Sequence, residues 1–321
     1  GLSGSRPGLQ RLPRQLPRIQ LKHRQCGLSL LICILISVSA EARTPNPIAG
    51  EQIFHAAGGC GCHTDVENKG SLLAGGRPLP TPYGVFYANN ITPDPTTGIG
   101  SWSDEDFVRA MREGIGPEGQ HYFPSFPYPA FAKMSEEDLL HLKDYLFSLP
   151  PIQQNNQPHE LQFPFNLRLN AWFWNVLFHD PEPITSDSSR SVSWNRGRYL
   201  TEAVAHCAEC HTPRNQLGVL RSDLAYAGAK EGPEGKLTPN ITPDKETGIG
   251  GWNQDDLVYA LQTGMVPNGD FLGDLMGMAI EHYQKLPDED LEAIAEYVLS
   301  LPPIVNQVRE KKAKNTDDSD W

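Results

Sequence analysis

The sequence predicts an all-α protein made of two tandem copies of one small domain, joined by a linker. Three observations carry this reading. Long segments recur at a nearly constant offset: Asn90-Ile91-Thr92-Pro93-Asp94 returns as Asn240-Ile241-Thr242-Pro243-Asp244, and Ser148-Leu149-Pro150-Pro151-Ile152 as Ser300-Leu301-Pro302-Pro303-Ile304. Each copy carries capped, amphipathic helical patterns separated by Gly- and Pro-rich loops. Each also contains two closely spaced cysteines followed directly by a histidine, Cys60-Gly61-Cys62-His63 and Cys207-Ala208-Glu209-Cys210-His211.

Residues 1–42 combine basic residues with a short apolar run over 27–40, closed by the small residues Ser39, Ala40 and Ala42. About 14 apolar residues are too few to cross a bilayer, so a secretory signal peptide is expected, with an uncleaved anchor as the alternative. Copy one, residues 43–152, opens with a helix near 47–57 that leads into the cysteines. A loop bearing Asn90 follows, and Ser103 then caps a helix that Gly114 stops. Ser135 caps the last helix, where Leu139, Leu142, Leu146 and Leu149 lie at helical spacing and Pro150 ends the run. The linker, 153–190, is rich in Pro, Asn and Gln and holds an aromatic helix over 167–178 (Leu167, Trp172, Phe173, Trp174, Phe178). Packing between the copies is the plain expectation for it, and contact with a partner or a membrane surface the other. Copy two, 191–304, repeats the pattern, with helices before Cys207, from Asn253 to Thr263, and from Asp288 to Leu301. The tail, 305–321, is expected to be disordered.

Two thiols three positions apart with a histidine after the second form the pattern of covalent haem attachment. Each thiol adds to one porphyrin vinyl group, and the imidazole reaches the iron. A redox dithiol or half of a zinc site are the alternatives, but no second Cys/His pair stands nearby to complete a zinc site. Cys207, Cys210 and His211 fit the haem pattern fully. In copy one a single residue separates the cysteines. Gly50 to Cys60 and Gly197 to Cys207 are equally long, so the missing residue falls between the thiols. Either the turn is contracted and both Cys60 and Cys62 bond, or Cys62 alone does.

The chain has 27 Lys/Arg and 39 Asp/Glu; six and one of these lie in 1–42, leaving 21 and 38, a net charge of −17. Such a surface excludes nucleic acid and favours docking to a basic partner, with salt sensitivity.

The duplicated motifs, each followed by Asn-Ile-Thr-Pro-Asp and by Thr97-Gly98-Ile99-Gly100 or Thr247-Gly248-Ile249-Gly250 with Trp102 or Trp252, resemble class I cytochrome c domains. The likeness extends over 47–304 and is closest to di-haem relatives of the cytochrome c subunits of membrane-bound alcohol and gluconate dehydrogenases, which usually carry three haems. It implies two covalently attached haem c groups and His/Met iron ligation. His63 and His211 are the proximal ligands. The family's Gly-rich segment before the last helix puts the second haem's thioether at Met276, with Met278 two residues on as the fallback. In copy one the matching position is Phe126, where relatives have methionine. Met134 is the expected replacement and His121 its competitor.

The resemblance therefore implies an electron carrier, not itself an enzyme, working in the periplasm. Its donor would be a periplasmic dehydrogenase, its acceptor a cytochrome or terminal oxidase, and the stretch 167–178 a possible membrane contact. The alternative is a haem enzyme, peroxidase-like or thiosulfate-dehydrogenase-like, using a five-coordinate haem in copy one.

Overall fold

The computed structural model describes residues 43–309. The expected signal peptide and residues 310–321 of the tail lie outside the described residues.

Helix α1 (Pro47–Ala56) starts where the Asn46 side chain accepts from the Ala49 amide, with Pro47 at the first helical position. It packs against α4 (Glu136–Ser148), whose N-terminus Ser135 caps. The approach is close: a Cβ on Gly50 would lie 1.9 Å from the His141 carbonyl oxygen, so only glycine permits this crossing. Between them in sequence come α2 (Asp104–Glu113), with a reciprocal Ser103/Asp106 capping box and Gly114 at φ 65°, and the short α3 (Tyr128–Phe131).

After the linker helix α5 (Arg168–Phe178), the second copy repeats the scheme. Helix α6 (Val192–Tyr199) packs on α10 (Asp288–Leu299), and a Cβ on Gly197 would meet the Ala293 carbonyl at 1.8 Å. The short α7 (Ala208–His211) carries the motif, α8 (Gln254–Thr263) repeats the capping box with Asn253 and Asp256, and α9 (Asp274–Tyr283) precedes α10.

The Asn-Ile-Thr-Pro-Asp segments are latches. Asn90 Nδ2 donates to Ile152 O at 2.7 Å and to Thr97 Oγ1 at 3.1 Å; Asn240 Nδ2 donates to Ile304 O at 2.7 Å and to Thr247 Oγ1 at 3.0 Å. Each ties its loop to the chain leaving the last helix.

Two features go beyond what the sequence suggested. Beside the helices, β1 (Pro78–Thr81), β2 (Gly84–Tyr87) and β3 (Glu160–Leu161) form a small antiparallel sheet. Pro78 and Pro80 hid β1, which can hold them because it is an edge strand. The tail is ordered at its start, since Val308 is buried and Asn306 Nδ2 donates to Ala227 O at 3.0 Å. Helix α5 forms as expected, but only Ala171 of it is buried, and Leu169, Phe173, Val176 and Leu177 face solvent. Its Trp174 Nε1 donates to Leu217 O at 3.0 Å and its Asn175 to Glu113 O at 2.7 Å, so its inner face does touch both copies.

Candidate haem centres

Both motif histidines are oriented alike. His63 Nδ1 lies 2.7 Å from Asn89 O and His211 Nδ1 lies 2.8 Å from Pro239 O. A carbonyl only accepts, so each Nδ1 carries the proton and each Nε2 presents a lone pair. Burial holds both pKa values below the ordinary histidine value, which keeps the rings neutral. A neutral imidazole anchored through one nitrogen is the form in which histidine ligates a metal. The four thiols are unpaired, and burial pushes Cys60, Cys207 and Cys210 up to about 12. The residues therefore suit a covalently held haem at each motif.

The turns leading into the two motifs differ. In copy two a π-helical turn (Leu200–Val204) extends α6, and His206 at φ 43° redirects the chain into Cys207. In copy one Gly59 at φ 68° takes the place of His206, and Cys60 is also left-handed at φ 51°. The deleted residue is thus absorbed between the thiols, by a backbone conformation that a non-glycine residue rarely adopts. Among the described residues, no group of three or more His, Cys, Asp or Glu side chains forms a metal cluster.

The methionines separate clearly. Met276 is half-buried against the core of copy two. Met278 faces the other way: its Sδ is 3.5 Å from Arg77 Nη1, and its Cε would lie 3.2 Å from a Cβ on Gly61. Two positions apart on a helix means about 200° of rotation, so the residues cannot serve one site. Met134 is 0% exposed, enclosed by core side chains, and sits directly before the α4 cap as Leu286 does before α10. Phe126 packs against Tyr122, Tyr128 and Phe131, and His121 lies on the same loop with its carbonyl accepting from Arg168 at 3.2 Å.

The turn at each motif also packs against the other copy. Helix α9 of copy two packs on the Gly58–His63 turn, while α3 of copy one packs on the Leu200–Val204 turn, where Phe131 meets His206 edge-on. After burial, the Cys62 thiol is the next largest influence raising the Cys210 pKa. Arg77, whose Nη1 donates to Gly61 O at 3.3 Å, forms an ion pair of 2.7 Å with Glu234 of copy two. His55 Nδ1 and His282 Nδ1 are 2.9 Å apart across the same boundary. The sequence reading missed Arg77, Glu234, His55 and His282, because none belongs to a spaced motif.

Comparison with known proteins finds related cytochromes. The sequence signature of the family described as cytochrome c matches residues 195–302. A di-haem cytochrome c-type protein of Cereibacter sphaeroides is 41% identical over 79% of this chain and 86% of its own length. The fructose dehydrogenase cytochrome subunit of Gluconobacter japonicus is 38% identical over 82% of this chain, and the gluconate 2-dehydrogenase cytochrome c subunit of Pantoea cypripedii 34% over 78%. The chain spans 54% and 58% of the length of those two subunits.

Proposed function

Because this chain belongs to the cytochrome c family and carries haem c bound covalently, we propose that it is a di-haem electron carrier working with a periplasmic dehydrogenase. The observation that carries the reading is the matched pair of buried histidines, each with Nδ1 fixed on a backbone carbonyl and each directly after a cysteine. The two domains would be tandem class I units, residues 43–152 and 191–304, each enclosing one haem. Cys207 and Cys210 hold the second haem, with His211 and Met276 on its iron. Cys62 and Cys60 hold the first, with His63 and Met134 on its iron. When bound, the haem iron supplies reversible one-electron transfer. The protein's part is to exclude water, fix the imidazole tautomer and hold the two groups close together.

Electron delivery from a dehydrogenase is supported by the cytochrome subunits among the relatives. A cytochrome or terminal oxidase is the proposed acceptor. The same relatives give no support to the haem-enzyme alternative. Within residues 43–309 no helix is long and apolar enough to cross a membrane. The exposed apolar face of α5 is the proposed site of peripheral membrane contact.

The test is to express the chain with a haem-attachment system in a periplasm and measure the intact mass and the reduced-minus-oxidised spectrum. Two haems per chain are expected, with one lost in a Cys207→Ser/Cys210→Ser variant. A mass equal to that of the bare polypeptide refutes the proposal.

A further inference from the structure

The boundary between the copies holds a largely buried ion pair that the haem-ligand pattern does not require. Arg77 and Glu234 are 12% and 15% exposed and 2.7 Å apart. Arg77 points its other terminal nitrogen, Nη1, at the Gly61 carbonyl, inside the first motif, and at the Met278 sulfur. Glu234 sits on the far side of the guanidinium and takes φ 57°, a conformation uncommon for a non-glycine residue. The position equivalent to Arg77 in copy two, two residues after the glycine whose amide donates to the motif histidine's carbonyl (Gly75 to His63, Gly228 to His211), is Lys230, and it is exposed. One motif therefore has a fixed buried cation beside it and the other does not.

Resting on the reading of a haem at the first motif, we infer that Arg77 is a positioning residue that raises the first haem's reduction potential, held in place by Glu234 of the other copy. Ferric haem carries one positive charge more than ferrous haem. A cation fixed nearby in a poorly solvated region disfavours the ferric form and raises the potential; an anion does the reverse. Arg77 contacts the motif directly and Glu234 only through Arg77, so the cation prevails at the iron. Met278 fills the space around the guanidinium with a side chain that cannot neutralise it.

The experiment is a spectroelectrochemical titration of the full haem-loaded chain in four forms: wild type, Arg77→Gln, Arg77→Lys and Glu234→Gln. The wild type is expected to give two one-electron waves. Arg77→Gln shifts one wave to lower potential, Glu234→Gln shifts the same wave to higher potential, and Arg77→Lys stays near wild type. Both neutral variants break the same ion pair, so a merely structural role moves the wave in one direction in both. Shifts of the same sign, or no shift, overturn the inference. If Arg77→Gln fails to mature, Glu234→Gln decides alone, since an unmoved or lowered wave refutes it. A wild type with a single haem by mass refutes the di-haem reading instead.

Discussion

At the scale of residues, the histidines were legible because adjacency to cysteine leaves few other roles for them. The methionines were only half legible. Met276 follows from a Gly-rich segment before the last helix, and the structure keeps it against the core of copy two. Met134 rests only on its place before the last helix of its copy, where the other copy has a leucine: Lys133-Met134 precedes the α4 cap as Lys285-Leu286 precedes α10. As the proposed thioether ligand of the first iron, Met134 is expected on replacement in Met134→Leu to change the spectrum of one haem and lower its potential. Met276→Ala is expected to abolish the thioether-to-iron charge-transfer band of one haem and to lower its potential. Absorption spectra of the two purified variants check both outcomes. Unchanged spectra in Met134→Leu would make Met134 a packing residue instead.

At the scale of elements, helices α2, α4, α8 and α10 were readable from caps and spacing, since both signals are local. The β1–β2–β3 sheet was not, because its strands are short, one carries two prolines, and the third comes from 160–161 in the linker. The recurrent Asn-Ile-Thr-Pro-Asp segments were visible as repeats, but their partners, Ile152 and Ile304, are some sixty residues away. In each latch the asparagine amide fills a carbonyl and a threonine hydroxyl, while its oxygen accepts from Thr92 or Thr242. Asn90 and Asn240 are both 2% exposed, so water cannot replace what they lose. Asn240→Ala is expected to destabilise the chain by about 1–3 kcal/mol per partner group left unsatisfied, and Asn90→Ala by a similar amount. Denaturant titration of each variant measures this. Equal losses support two equivalent latches, and a loss near zero in either refutes its role.

At the scale of the molecule, what no single copy reveals is how the two face each other. Repeats announce that a unit is doubled; they do not say which faces meet, because those contacts are made by residues that differ between copies. His55 and His282 show this best. Their Nδ1 atoms share one hydrogen bond, so one donates and the other must be deprotonated there. Burial first, then His55 and Lys285, pull the His282 pKa down from 6.5 to about 4. His55 is lowered by burial and by Lys285 as well, with Glu51 opposing. In the unfolded chain both rings titrate near their ordinary value. As pH falls from about 6.5 towards 4, the unfolded state therefore binds protons that the folded state refuses, and stability declines; below about 4 the His282 contribution levels off. A second proton on the pair would put N–H against N–H at the boundary where Gly59 leads into the first haem motif. His282→Asn is expected to flatten the fall of unfolding free energy between pH 6.5 and 4, measured by denaturant titration of the haem-loaded chain. The other buried histidines keep their own slope in both proteins, so the difference between variant and wild type reads this pair alone. If the two pH profiles run parallel, the imidazole contact does not couple the copies to pH.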